Sequence, residues 1–371
     1  MPTSDSIELN CNMDFTGPDF GPLLNKLRIH AESPGAEEAW PEEPLRWLAE
    51  NHVLGWVIPP EYGGTDISSE QLTAGYEQLT ESCLLTAFVL TQRNGACQRI
   101  AGSDNFELKS ELLPRLCRGE LFATVGISHL TTSRQHLHKP MVRVQQTDAG
   151  YVLTGTAPWV TGADQADVIV TGGTLDDGRQ VLVAVPTDVE GVEVAEPLRM
   201  LSLNGSHTGA LNMNAVEVAA DRLIAGPAEQ VMKKGQGHGT GSFATSALAV
   251  GVTRGVLRRF RQEAEARPEL GEIHKPLNRE CTALLDNILA AARGESAEEN
   301  PALAAGAIRE RANSLVLRTS QAYLAATKGT GFVSGHPAER AVREAIFFLV
   351  WSCPQPVLTA ALRDFACIIE T

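Results

Sequence analysis

The pattern of apolar and polar positions changes texture twice along the chain. From about residue 18 to 118, apolar residues return at helical spacing, as Trp47 and Leu48 do in A-E-E-A-W-P-E-E-P-L-R-W-L-A-E-N-H (36–52). Ser68-Ser69-Glu70-Gln71 predicts a helix start, because a serine and a glutamine three positions apart can cap each other's backbone N–H. The stretch 107–121 continues in the same style. From about 122 to 224, short Val- and Thr-rich runs alternate with turn residues: V-R-V-Q-Q-T, Y-V-L-T-G-T, A-D-V-I-V-T-G-G-T and R-Q-V-L-V-A-V-P, separated by D-A-G and D-D-G. That spacing predicts an antiparallel sheet or barrel rather than βαβ units. From about 240 helical periodicity returns. Leu248, Val252, Val256 (or Leu257) and Phe260 form one face, Arg254, Arg258, Arg259 and Arg261 fill much of the rest, and 302–327 is a second long candidate.

The expected fold class is therefore α+β. An N-terminal α-helical domain spans 1–121, a middle antiparallel β domain 122–225 and a C-terminal α-helical domain 240–371, with no internal repeat. A chain of 371 residues is long enough for such domains to share a sizeable core. Its net charge of −14 argues against nucleic acid or an anionic membrane as the main partner. No apolar stretch reaches the ~18 residues of a membrane span, and the first residues, M-P-T-S-D-S-I-E-L-N, lack signal-peptide features. The 7 cysteines are scattered and form no C-x-x-C pair, which fits free thiols in a reducing compartment and a cytoplasmic location.

Several local stretches raise chemical questions. K-K-G-Q-G-H-G-T-G-S (233–242) has the glycines of a phosphate loop without either phosphate-loop spacing or a surrounding βαβ unit, so it reads as a flexible link. His136 and His138 would share one side of a strand, but no third metal ligand is evident. In P-W-V-T-G (158–162) an indole stands beside a threonine at the end of a β run. This is either core packing or a flat wall and a hydroxyl for a planar heterocycle. Finally, F-F-L-V-W-S-C-P-Q-P-V (347–357) reads as an apolar helix stopped at Ser352-Cys353 by two prolines, since Pro354 disfavours α geometry at Cys353.

Taken in order, these pieces resemble the acyl-CoA dehydrogenase family. G-W-V-I-P-P-E-Y-G-G (55–64) resembles its Pro-x-Glu-Tyr-Gly-Gly turn. Y-V-L-T-G-T-A-P-W-V-T-G (151–162) resembles its strand pair ending in W-[IV]-T, and S-H-T-G-A-L-N-M-N-A-V-E-V (206–218) its S-x-T strand. G-T-G-F (329–332) with R-A-V-R-E-A (340–345) resembles its G-x-G-[FY]…R-D-A region. The resemblance implies an FAD enzyme, a homodimer or homotetramer, acting on a small-molecule substrate such as an acyl-CoA, with the flavin between the β domain and the C-terminal helices. Position by position it implies that Trp159 stacks near the flavin and Thr161 bonds its edge. Val125 to His129 replace the flavin-contacting strand ending in Thr-Glu, with Ser128 on the threonine. Ser133, in L-T-T-S-R, takes the place of a phosphate-reaching serine. Arg267 falls where a neighbouring subunit's arginine meets the FAD pyrophosphate, and Gly329 opens the G-x-G-F cofactor motif.

The family's reaction needs a base for the substrate α-proton while hydride leaves the β-carbon. A carboxylate suits this, because burial raises its pKa toward neutrality. Aligning Arg343-Glu344-Ala345 to R-D-A puts Ser352 on that glutamate and Pro354 on the following threonine. The other position used in the family falls at about Ala244. Neither is a carboxylate. Cys353 and His129 are the remaining titratable candidates nearby. Three functions follow as expectations: an acyl-CoA dehydrogenase-type oxidoreductase with an unusual or displaced base, a flavin-dependent monooxygenase or oxidase on the same fold, or a non-catalytic subunit.

Overall fold

Local chemistry sets most of the helix starts. The computed structural model describes residues 20–131, 139–233 and 243–368. Helices α1 (Phe20–Ala31) and α2 (Glu42–Glu50) precede α3 (Ser69–Ser82), which opens on the expected capping box. Ser68 Oγ accepts from Gln71 N at 3.2 Å, and Gln71 Oε1 accepts from Ser68 N at 3.0 Å. Helix α4 (Leu84–Ala101) is buried on nearly every side of its first two turns, which makes it the central helix of this region. Asn105 caps α5 (Phe106–Arg118), and Gly119 ends it in the left-handed conformation.

Between α2 and α3 the chain folds back through the P-E-Y-G-G turn. Gly63 has φ 90°, and a Cβ on Gly64 would stand 1.9 Å from the Ile58 carbonyl oxygen, so only glycine fits there. The turn returns the chain to itself: Thr65 N, Asp66 N and Ile67 N donate to the carbonyls of Gly55, Ile58 and Trp56.

Among the described residues, eight strands form one sheet: β1 (Ala123–Gly126), β2 (Val142–Gln146), β3 (Gly150–Val160), β4 (Val168–Thr174), β5 (Gln180–Pro186), β6 (Val192–Val194), β7 (Gly209–Ala219) and β8 (Leu223–Ala228). Their order is β6-β7-β3-β2-β4-β5-β8, with β1 beside β4. The sheet is mixed, which corrects the purely antiparallel expectation: β1 and β2 run parallel to β4. Neither β1 nor β2 is followed directly by β4 in the chain, so no hairpin fixes either pair as antiparallel. The runs expected to be strands pair as strands, and their inward faces (Leu153, Ile169, Val181, Val183, Leu211, Val216) build a second core.

After the short helix α6 (Ser128–Thr131), the remaining helices follow the sheet: α7 (Phe243–Ala266), α8 (Gly271–Ala292), α9 (Ala305–Gly331), α10 (Pro337–Phe347) and α11 (Gln355–Phe365). Leu248, Val252, Val256, Leu257 and Phe260 are buried along α7, where it packs between α3 and α9. Helix α10 ends at Phe347, earlier than the apolar run suggests, and 348–352 form turns before Pro354 caps α11. Among the described residues, no helix is long and apolar enough to cross a membrane, and the cysteines at 83, 97, 117, 281, 353 and 367 are free.

Candidate functional site

A cavity of about 880 Å³ lies where the strands, α3–α4 and the end of α10 meet. Its size suits a small-molecule ligand. Strand β1 brings Val125 to the wall, and Ser128 follows at the start of α6 rather than in the strand, which ends at Gly126. Strand β3 brings Trp159. Between Ala157 and Val160 its pairing with β7 slips by one residue, and this bulge accompanies an indole that stays 51% exposed between half-buried Pro158 and buried Val160. Gly162 closes the P-W-V-T-G run at φ 65°, where a Cβ would meet the Trp40 ring at 2.6 Å.

Thr161, Thr208 and Ser206 form a buried chain of hydroxyls. Thr161 Oγ1 lies 3.1 Å from Thr208 Oγ1, which lies 2.8 Å from Ser206 Oγ. Thr161 and Thr208 both line the cavity. Ser128 Oγ is buried and has no hydrogen-bond partner among the described residues, an expensive arrangement unless a ligand completes it.

The opposite wall comes from α7 and the turn after α10. Phe347 stacks on Trp351 at 5.0 Å and 14°, and Phe88 of α4 meets both edge-on. Ser352 lines the cavity in the left-handed conformation, φ 46°. Ala244 lines it too. Both positions at which the family resemblance expects a base therefore face one space. Neither supplies a carboxylate, and no aspartate or glutamate lines this cavity among the described residues.

The turn carrying Ser352 is held from α9. Buried Arg309 donates from Nη2 to Trp351 O at 2.9 Å and to Phe348 O at 3.3 Å, while Asn313 Nδ2 donates to Phe348 O at 3.0 Å. Arg309 has no carboxylate partner among the described residues, and burial brings its pKa down to about 10.

The other sequence candidates lie elsewhere. His129 is buried with Nε2 on the Gly172 carbonyl at 2.9 Å, burial lowers its pKa, and it does not line the cavity. Cys353 is adjacent but outside the lining. Burial raises its thiol pKa more than neighbouring Arg309 lowers it, so at neutral pH it is a thiol. Arg267 donates to Glu263 and to the Ala326 carbonyl, away from the cavity. Gly329 sits in the last turn of α9, just past Lys328, whose φ 56° and ψ −146° break the helix. Ser133, His136, His138 and most of the glycine-rich link lie outside the described residues. Glu77, raised to about 7 by burial, would suit a general base, but its carboxylate meets Arg254 Nη1 at 3.1 Å on the α7 side and does not line the cavity.

Tyr76, Phe88 and Arg99 are cavity residues that the sequence reading does not single out, whereas Thr208 is the threonine of the S-x-T motif. For Tyr76, Phe88 and Arg99 the signal is helical spacing along α3 and α4, which core residues share.

Comparison with known proteins agrees with this architecture. Residues 24–120 match the family model for the acyl-CoA dehydrogenase N-terminal domain. A probable acyl-CoA dehydrogenase, YngJ, of Bacillus subtilis is 24% identical over 254 residues, 67% of this chain and 66% of its own length. The (2S)-methylsuccinyl-CoA dehydrogenase of Cereibacter sphaeroides is 25% identical over 64% of this chain and 45% of its own length. The matched part thus spans about two thirds or less of these curated relatives. A glutaryl-CoA dehydrogenase from Mycobacterium smegmatis, solved in complex with FADH2, shares the fold with a TM-score of 0.77 at 18% identity, covering 95% of this chain and 96% of that one. Residues 24–120 thus match an acyl-CoA dehydrogenase N-terminal domain, the curated relatives are acyl-CoA dehydrogenases at 24–25% identity, and the whole chain shares their helix–sheet–helix fold.

Proposed function

We propose that the chain is an FAD-dependent oxidoreductase that binds an acyl thioester in the cavity between the strand wall and the α10 turn. The observation that carries this is the convergence of Ser128, Trp159 and Thr161 on one space with Ala244 and Ser352. The strand wall fits a flavin. Ser128 offers a buried hydroxyl without a partner, Trp159 a half-exposed flat face, and Thr161 a hydroxyl already oriented through Thr208. Bound FAD would supply a two-electron acceptor for hydride from the substrate β-carbon. Ser133, Arg267 and Gly329 belong to this reading as contacts to the rest of the cofactor, within a homodimer or homotetramer.

The chain's own residues position the thioester and exclude water. Phe88, Phe347 and Trp351 form an apolar clamp, and Arg309 holds the turn that presents Ser352. A serine hydroxyl is too weak a base for an α-proton, so this site binds an ordinary acyl-CoA but removes its proton slowly. The same lack of a lining carboxylate favours a second reading, a flavin-dependent monooxygenase or oxidase, for which no α-proton base is required.

The test is anaerobic mixing of the FAD-loaded protein with saturated acyl-CoAs, followed by loss of the flavin visible band. Ser352→Glu should speed bleaching by about 10² or more, the usual worth of a positioned base. Retained flavin that neither protein bleaches, but that an external reductase reduces before oxygen is consumed, points to the second reading. Failure to retain any FAD would sink both.

A further inference from the structure

Among the described residues, one cation in the cavity wall meets no carboxylate. Arg99 lies in the last turn of α4 and lines the cavity beside Gly95, Gln98 and Val125. Its hydrogen bond to protein is Nη1 to the Gly95 carbonyl of its own helix, at 2.7 Å, and among the described residues no carboxylate meets it. Burial brings its pKa down to about 10, with no acidic neighbour acting in the other direction.

The other arginines nearby are satisfied in ways that Arg99 is not. Arg93, six residues earlier on α4, turns away and donates to the Leu54 and Leu116 carbonyls and to Asn94 Oδ1. Arg343, across the cavity, is held by Glu339 at 2.7 Å and Glu37 at 2.9 Å. A guanidinium stays charged at any physiological pH, and a half-buried one without a partner is unfavourable until an anion arrives. With no acid in the described lining of the cavity, that anion has to enter with the ligand.

We propose that Arg99 is a recognition site for a carboxylate on the acyl portion of the substrate, so that the preferred thioesters carry a second, terminal acid group. This rests on the acyl-thioester reading of the same cavity. The planar fork of a guanidinium matches the two oxygens of a carboxylate, and the same cavity carries apolar Val125 and, further along α4, Phe88, which suit a short hydrocarbon chain leading to it. A phosphate is a poorer fit, since the cavity offers no second unpaired cation among the described residues.

The experiment compares binding of succinyl-, glutaryl- and adipyl-CoA with butanoyl-, pentanoyl- and hexanoyl-CoA, by calorimetry on the FAD-loaded protein. The dicarboxylic member of at least one pair should bind about tenfold or more tightly, the scale of a charge-assisted pair. Arg99→Gln should abolish that preference while leaving the neutral acyl-CoAs unaffected, and Arg99→Lys should keep part of it. Circular dichroism confirms that each variant folds. In a second arm, free glutarate should raise the melting temperature of the parent and not of Arg99→Gln. Equal binding of acidic and neutral acyl-CoAs at every length overturns the Arg99 inference and leaves the acyl-thioester reading standing. If no acyl-CoA binds but glutarate stabilises the parent alone, the thioester reading falls and the carboxylate site survives. If glutarate also acts equally on both proteins, or on neither, the Arg99 site falls with it.

Discussion

Two turns in this chain solve similar backbone problems by different means. The P-E-Y-G-G turn before α3 is held by its own backbone: Thr65, Asp66 and Ile67 return hydrogen bonds to Gly55, Ile58 and Trp56, and Gly64 fits because it has no Cβ. The turn after α10 is held from a distance. Two of its carbonyls, on Phe348 and Trp351, are capped by Arg309 and Asn313, some 35 to 42 residues earlier in the chain. A turn stabilised from within carries its reason in adjacent residues. One stabilised from outside does not, and its side chains are free to vary as long as the external donors remain.

The largest expected effect tests the first turn. Gly64→Ala places a methyl group on the Ile58 carbonyl, so the backbone has to move, at a cost of about 3 kcal/mol or more. A urea midpoint within error of the parent would show that the turn has more room than its geometry indicates. Arg309→Met tests the second turn. It leaves the Trp351 carbonyl without its donor but also removes a buried charge that has no carboxylate partner among the described residues, so the net loss is about 2 kcal/mol. No loss would mean that the turn is self-sufficient after all, and the contrast between the two turns would disappear.

Asn313→Leu removes the other donor to Phe348 and, with Arg309 still in place, should lower stability by about 1 kcal/mol. A double-mutant cycle with Arg309→Met should show coupling, because both side chains serve one carbonyl. The smallest effect is a gain. Ser352→Gly relieves a left-handed serine and should stabilise by up to about 1 kcal/mol in the same assay. Destabilisation would show that the serine hydroxyl has a structural role.

Legibility followed the same division. Ser68 and Gln71 announce their helix because a capping box is a contact between neighbours. The strands were readable from alternation, but the parallel placement of β1 and β2 against β4 was not, since pairing direction depends on how distant segments meet. Ser128, Trp159, Thr161 and Ser352 could be named in advance because motif order carried them, and the cavity brings all four to one wall or another. Arg99 could not. An arginine near the end of a helix reads the same whether it faces water, a carboxylate or a ligand cavity.

By itself, the sequence determined the order of helices, strands and helices, the turns that depend on adjacent residues, and the lack of a carboxylate at either expected base position. These are properties of local spacing and residue identity. The tertiary structure alone decided that those two positions share one cavity, that α9 holds the turn presenting Ser352, and that Arg99 faces that cavity with no acidic partner among the described residues. Each of these depends on which distant groups come within a few ångströms, and burial and charge pairing exist only once the chain has folded.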